Sequence, residues 1–328
     1  MQKEPPMTSP DTTGRSVSIV VPCYRSATTL PQLLERIHAS LDPLAAAGGI
    51  ASYEVVFVVD GSPDDTATVA HSLADGDPLV TVVEMTRNFG QHNALVAGIR
   101  HARNDVVVTM DDDLQHPPEQ IHLLLDALET RGADLVYAVP LVEEHGVVRS
   151  FASRMVKRAL AWSGVANAEI VGAFRAFRTE LRDGFADARD AQVNVDVILS
   201  WTTNRVVSVP AEMHQRAEGR SSYNLRGLIR HTLNMVTGYG TVPLRMATWL
   251  GFFCAALGAG LLIYVVVRYA LGETTVQGFT TLAALISLFA GAQMLSIGVI
   301  GEYIGRQHFR SMNRPMYVVR NKNDAARP

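Results

Sequence analysis

Val106-Val-Val-Thr-Met-Asp111-Asp112-Asp113-Leu-Gln115-His-Pro-Pro-Glu119 is the stretch whose reading decides the fold. Its opening residues form a short apolar run rich in β-branched side chains, the length and composition of a buried strand. Three carboxylates end that run abruptly. Pro117, Pro118 and Glu119 then start a helix, in which Ile121, Leu124, Leu125 and Leu128 keep helical spacing. Strand, polar turn and helix in succession are the repeating unit of an α/β chain.

The same unit recurs on either side. Val17–Val21, Tyr53–Val59, Leu79–Met85 and Asp134–Tyr137 read as further strands, and Leu30, Leu33, Leu34, Ile37 and Leu41 mark a helix after the first. Alternating strands and helices predict a parallel sheet inside an α/β/α sandwich. Ligands of such sheets bind beyond the carboxyl ends of the strands, so the loops after Val21, Val59 and Met110 are expected to share one crevice.

Side chains two apart on an extended chain point the same way, so Asp111 and Asp113 can face one cation while Asp112 points elsewhere. Carboxylate oxygens suit Mg²⁺ or Mn²⁺, and magnesium prefers few protein ligands together with water and phosphate oxygens. Such an ion neutralises charge developing on a departing diphosphate. Alone, the triplet reads equally as an acidic turn before a helix N-terminus. A second strand end, Val58-Val-Asp60-Gly-Ser-Pro-Asp-Asp-Thr66, offers Asp60 as an acceptor for a nucleobase or ribose. Its plainer reading is a Gly61-Ser62-Pro63 turn with Asp65 or Thr66 as cap. A third, Met85-Thr-Arg87-Asn88-Phe-Gly90-Gln91-His92-Asn93, carries polar and basic groups suited to phosphate or sugar.

Composition narrows the partners. The 328 residues hold 29 basic and 32 acidic side chains, a net charge of -3, so nothing global favours nucleic acid. Cys23 and Cys254 make no disulfide framework and fit a reducing compartment. The start is polar to about Ser16 and lacks the basic and apolar segments of a secretory signal, which predicts a first half that stays in the cytoplasm.

Farther along, Ala247–Tyr269 and Phe279–Ile300 are apolar stretches long enough, at ~1.5 Å per helical residue, to cross a ~30 Å hydrocarbon core. Arg226, Arg230 and Arg245 precede the pair, and Arg306, Arg310, Arg314, Arg320 and Lys322 follow it. The connecting loop offers Arg268 against Glu273, so both termini are expected on the cytoplasmic side. Leu225, Leu228, Ile229, Leu233 and Val236 fall on one helical face, which fits a helix lying in the bilayer interface.

Taken together, Val20-Val-Pro22-Cys-Tyr24, the Asp60–Thr66 loop, Arg87-Asn-Phe-Gly-Gln-His92 and Asp111-Asp-Asp-Leu-Gln115 resemble the family 2 glycosyltransferases, which have the GT-A fold. Thr241-Val-Pro243-Leu-Arg245-Met246, Gly291-Ala-Gln293, Gly301-Glu-Tyr-Ile-Gly305-Arg306 and Arg314-Pro-Met-Tyr317 are similar to the polyprenyl-phosphate branch, in particular the bacterial aminoarabinose and glucosyl transferases. Dolichyl-phosphate mannose synthase is a more distant likeness. The resemblance implies that Asp111 and Asp113, with Gln115 beside them, hold the metal. It also implies that Pro22, Tyr24 and Asp60 line the nucleotide pocket with Arg87 at the donor. Gly172-Ala-Phe174-Arg175 and Arg216-Ala-Glu-Gly219-Arg-Ser221 look like elements near the donor diphosphate and acceptor phosphate, and Arg149 matches a basic position on the acceptor side. Arginine suits bidentate phosphate recognition. The chain departs from the family pattern in three places: Val59 for the first acid of an Asp-Asp pair, Arg25-Ser26 for Asn-Glu, and Ser222 for lysine.

The expectation is therefore a disordered N-terminal segment over 1–16, a cytoplasmic GT-A catalytic domain over 17–223, an interface helix over 224–243, two membrane helices over 244–301 and a cytoplasmic tail over 302–328. The implied reaction moves one sugar, with inversion, from a nucleotide-sugar, preferably UDP-linked, to a polyprenyl phosphate at the inner membrane. Asp196 is the one candidate general base, with a structural or capping role as the alternative. A homotetramer and a downstream flippase are implied partners. A processive synthase would need a Gln-x-x-Arg-Trp element and a pore, and a dinucleotide oxidoreductase would need Gly-x-Gly-x-x-Gly after the first strand. A non-catalytic membrane scaffold would be expected to erode the metal carboxylates.

Overall fold

Runs of valine and isoleucine without polar interruption require a sheet covered on both faces. In the computed structural model, which describes residues 14–141, 170–186, 193–213, 242–272, 278–312 and 314–320, Val17–Cys23 (β1), Tyr53–Val59 (β2), Val80–Glu84 (β3) and Val106–Thr109 (β4) are such strands. Leu135–Pro140 (β5), Arg175–Arg178 (β6) and Val206–Ala211 (β7) complete a seven-stranded sheet in the order β3-β2-β1-β4-β6-β5-β7. The chain divides into two compact units, one formed by Met1–His145, Glu169–Ser221 and Arg314–Pro328, the other by Gly146–Ala168 and Ser222–Asn313.

The sheet is mixed, which corrects the expectation of parallel strands throughout. β1 pairs in parallel with β2 and β4, β2 with β3, and β5 with β7, but β6 runs antiparallel to both β4 and β5. An antiparallel strand starts at the edge where its neighbours end. Arg175 accordingly sits opposite Thr109, the last residue of β4, and enters the working edge of the sheet from the opposite direction.

Helices cover both faces, as a sandwich requires. Leu30–Ala46 (α1) buries Leu30, Leu33, Leu34, Ile37 and Leu41 in one core cluster with Thr66–Gly76 (α2) and Ile121–Thr130 (α4). A short 3₁₀ turn, Pro118–Gln120, leads into α4. Gln91–His101 (α3) and Val195–Thr202 (α5) pack in the second cluster. Asn194 caps α5, its side chain accepting from the amides of Asp196 and Val197. Gly98 lets α3 approach the sheet: a Cβ there would lie 2.3 Å from Val20 Cγ1 and 2.8 Å from Val58 Cγ2.

The edge strand β3 is covered by the chain's far end. Met85 bridges Val319 antiparallel, Thr86 N donates to Val318 O at 2.9 Å, and Arg320 N donates to Glu84 O at 2.7 Å. Met316 is buried in the α3 cluster with Tyr317 packed against it.

The second unit contains Val242–Ala270 (α6) and Phe279–Ser311 (α7). Leu244–Arg268 and Leu288–Gly305 are long and apolar enough to cross a membrane, and Trp249, Phe252, Phe253, Leu262 and Ile263 stand exposed. Both predicted stretches fall within these helices, and α7 runs on past Ile300 to Ser311. The interface helix expected on Leu225–Val236 lies outside the described residues.

Candidate active site

Parallel pairing places the ends of β1, β2, β3 and β4 on one edge, and side chains bind the loops there to one another. Asp112 turns inward, accepting from Tyr24 N at 3.1 Å and from the Ser26 hydroxyl. Arg25 N donates to Ser62 Oγ at 2.8 Å and Ser26 N to Thr66 Oγ1 at 2.8 Å. Asp60 Oδ1 accepts from Phe89 N at 2.6 Å and Asp60 Oδ2 from Gly90 N at 2.8 Å. Gln91 Nε2 donates to Asp111 Oδ1 at 2.7 Å. Asp113 Oδ1 accepts from Gln115 N at 3.1 Å.

Backbone conformation is unusual at this edge. Arg25 and Leu114, neither of them glycine, take φ of 60° and 62°, a left-handed conformation costly for residues with a Cβ. Gly61 has φ +54°, and a Cβ on it would meet the Arg87 carbonyl carbon at 2.2 Å and Asn88 N at 2.4 Å. The loop after β2 and the loop after β3 thus lie backbone against backbone. Arg87 folds over the Phe89 ring, 4.0 Å from its centroid.

Burial dominates the electrostatics. It pushes the Asp60 carboxyl up, against the pull of the Phe89 and Gly90 amides and the Arg87 guanidinium. Asp112 is pushed up too, mainly by burial and further by Asp111, while Ser26 and Tyr24 pull it down. His116 stacks on Phe174, centroids 5.4 Å apart, and burial lowers its pKa to about 4. Its Nδ1 accepts from Asp111 N at 3.0 Å, so the neutral ring carries its proton on Nε2.

Among the described residues no group of three His, Cys, Asp or Glu side chains forms a metal cage of its own. The donors expected from the sequence are the carboxylates of Asp111 and Asp113 and the Gln115 amide oxygen. This all-oxygen set fits Mg²⁺ or Mn²⁺ and leaves most of the shell to phosphate and water. Asp112 has partners of its own in Tyr24 and Ser26, whereas Asp111 is bonded to Gln91 and Asp113 to the Gln115 amide.

Other expected residues have different surroundings. Pro22 is buried within β1, and Tyr24 is 44% exposed at its end. Arg175, only 1% exposed, forms an ion pair with Asp196 and donates from Nε to Thr109 Oγ1 at 3.0 Å. Asp196 Oδ1 also accepts from the Tyr137 hydroxyl at 3.0 Å. Arg175 and Asp196 therefore satisfy each other behind the end of β4. Arg149, Arg216 and Ser221 lie outside the described residues. Ser26, Thr66, Gln91 and His116 were not anticipated at the site. Thr66, Gln91 and His116 lay in segments already read as candidate ligand loops, and Ser26 in a departure from the family pattern, but none was given a role at the site.

Residues 18–192 match Glycosyl transferase family 2, and residues 242–307 match the GtrB C-terminal hairpin. The chain belongs to glycosyl transferase family 2. Among relatives of this glycosyltransferase, the undecaprenyl-phosphate 4-deoxy-4-formamido-L-arabinose transferase of Klebsiella pneumoniae is 33% identical over 93% of both chains. The transferase of that name from Sodalis glossinidius is 34% identical over 92% of both. A mannosyltransferase from Pyrobaculum calidifontis, solved with GDP-Man and Mn²⁺, superposes with a TM-score of 0.51 at 20% identity. The match covers 95% of this chain and 92% of that one, a likeness of fold. The family 2 glycosyltransferase described here has the GT-A architecture, its mixed sheet followed by two apolar helices.

Proposed function

We propose that this glycosyltransferase transfers one sugar, with inversion, from a UDP-sugar to a polyprenyl phosphate of the undecaprenyl or decaprenyl type at the cytoplasmic face of the inner membrane. One observation carries the reading. Along almost its whole length the chain matches transferases named for undecaprenyl phosphate, and the Asp111–Asp113 and Asp60–Gly90 loops stand together at the sheet edge where such a reaction needs them.

In this proposal Asp111, Asp113 and Gln115 hold Mg²⁺ or Mn²⁺, which when bound supplies positive charge to the donor diphosphate. Asp60, Arg87, Pro22 and Tyr24 frame the nucleotide. Arg149, Arg216 and Ser221 take the acceptor phosphate, as arginine geometry favours. An acceptor phosphate oxygen forms the bond to the anomeric carbon while the bond from that carbon to the diphosphate oxygen breaks, and the nucleoside diphosphate leaves. The attacking oxygen is already anionic at neutral pH, so no strong base is required. That leaves Asp196 free to neutralise Arg175 and hold the end of β4. The exposed apolar surface of α6 and α7 suits lipid, and the arginines flanking the pair favour a cytoplasmic catalytic domain.

Purified protein in detergent, given undecaprenyl phosphate, Mn²⁺ or Mg²⁺ and a panel of UDP- and GDP-sugars, should form a lipid-linked sugar detectable by mass spectrometry, and Asp113→Ala should not. No product across the panel, with no nucleotide binding by calorimetry, would replace this reading with a non-catalytic membrane scaffold.

A further inference from the structure

The Thr86–Gly90 loop is held at both ends. At its far end the Asp60 carboxylate receives Phe89 N and Gly90 N at 2.6 and 2.8 Å, which are short, charge-assisted bonds. At its near end the partner comes from residues that follow α7 in the chain. Thr86 N donates to Val318 O, and Arg320 N to Glu84 O, so that Met85 and Val319 face each other as an antiparallel pair. Arg320 Nη1 also reaches Glu84 Oε1 at 2.8 Å, and Glu84 Oε2 meets His71 Nε2 of α2 at 3.1 Å. Met316 is 5% exposed, and the Arg100 guanidinium lies 5.7 Å from the Tyr317 ring centroid. Residues 314–320 are thus anchored by burial at one end and by backbone pairing at the other.

Within this loop Phe89 packs against the core, whereas Thr86, Arg87 and Asn88 are all exposed. Its conformation depends on the groups that tie it down. The Asp60 end cannot fix Thr86 and Arg87 unaided, because those residues precede its two contacts, although the Gly61 backbone packs against Arg87 and Asn88. The edge of β3 just before them is paired with the tail.

We propose that residues 314–320 act as a strap that positions the Thr86–Gly90 loop, so that nucleotide affinity at the donor site depends on a segment lying beyond the second apolar helix. The proposal rests on the donor-site reading given above. Arg320 is a positioning residue: it acts through Glu84 and the β3 edge and touches no substrate. If release of the strap leaves the loop in its binding conformation for about a tenth to a third of the time, the dissociation constant rises about 3–10-fold.

Full-length protein, its Arg320→Pro variant lacking both the amide donor and the guanidinium, and the Arg320→Lys variant are compared by calorimetry with UDP and with GDP, each with Mn²⁺. Hydrogen exchange is followed in peptides covering 84–90. Arg320→Pro should weaken nucleotide binding about 3–10-fold and speed exchange over 84–90 while leaving β1 and α4 protected, and Arg320→Lys should recover most of the affinity. Should Arg320→Pro fail to fold, Arg320→Ala, which keeps the amide, should still weaken binding measurably. Faster exchange with unchanged affinity overturns the strap's role in binding, and unchanged exchange overturns the strap itself. Wild-type protein that binds neither nucleotide overturns the donor-site reading first and this inference with it.

Discussion

Asp112 has a different task from the carboxylates on either side of it. It is the inward member of the triplet, tied to Tyr24 N and Ser26, and its removal strands those donors in a partly buried place. Asp112→Ala should cost about 1–3 kcal/mol of stability, read from chemical denaturation. Asp113→Ala should leave the melting temperature nearly unchanged and lower turnover on the order of 10²–10³-fold, the scale of losing one stabiliser of developing charge. Comparable losses of stability in both variants would mean that the two side chains share one structural role. Alternation set Asp112 apart from Asp111 and Asp113 as an expectation, and the bonds of Asp112 to Tyr24 and Ser26 give it partners its neighbours do not share. Ser26 was not legible as a partner, because 86 residues separate it from Asp112 and no local pattern reports a contact at that range. Asp196 was open between base and structural group, and its pairing with fully buried Arg175 favours the second. Asp196→Ala should therefore destabilise the fold by about 3–5 kcal/mol, as expected when a buried charge loses its partner, whereas an Arg175→Met/Asp196→Leu double variant should recover much of that. An Asp196→Ala protein of normal stability and no activity would return Asp196 to the role of base.

Strands of five to seven apolar residues announced themselves, and β1, β2 and β3 begin and end within about two residues of where the sequence placed them. β6 did not. Arg-Ala-Phe-Arg is four residues long and bounded by charges, and its burial depends on Asp196 in α5 and Thr109 in β4, information no window of sequence contains. The approach of α3 to the sheet was equally hidden, since it turns on one missing Cβ. Gly98→Ala should overpack against Val20 and Val58 and cost about 1–3 kcal/mol, seen as a lower denaturation midpoint at constant slope. β5, β6 and β7 are joined at their other edge by Asp134, which accepts from Thr203 Oγ1 at 2.6 Å and from Arg205 Nη2 at 2.7 Å, with Arg178 Nε 3.7 Å away. Hydrogen bonds from Arg205 and Thr203 and the charges of Arg205 and Arg178 outweigh burial and hold this carboxyl below its ordinary value. For an acid lowered on folding, the stabilisation is complete above the unfolded pKa of about 3.9 and is lost as pH falls through the folded value. Asp134→Asn should therefore flatten the stability profile below about pH 4, and an unchanged acid limb would show that other carboxylates govern it.

Across the whole molecule, hydropathy alone separated an α/β part from an apolar pair of helices, because crossing a bilayer demands a long run of apolar chain. The return of residues 314–320 to the β3 edge was not legible: Tyr317-Val-Val-Arg320 is too short to read as a strand, and its pairing partner lies more than two hundred residues earlier. That return carries a consequence of counting. The chain leaves the catalytic sheet after β7 and rejoins it at Val318, so both places lie on one side of any bilayer, and the number of crossings between them is even whichever side that is. With no other segment crossing between them, α6 and α7 cross together or not at all. In a chain with Cys23 and Cys254 replaced by alanine, cysteines introduced at Gly278 and Ser311 should be labelled by an impermeant reagent from opposite faces of sealed vesicles. Labelling from the same face would set the count at zero and make the apolar pair a hairpin that dips into the membrane without passing through.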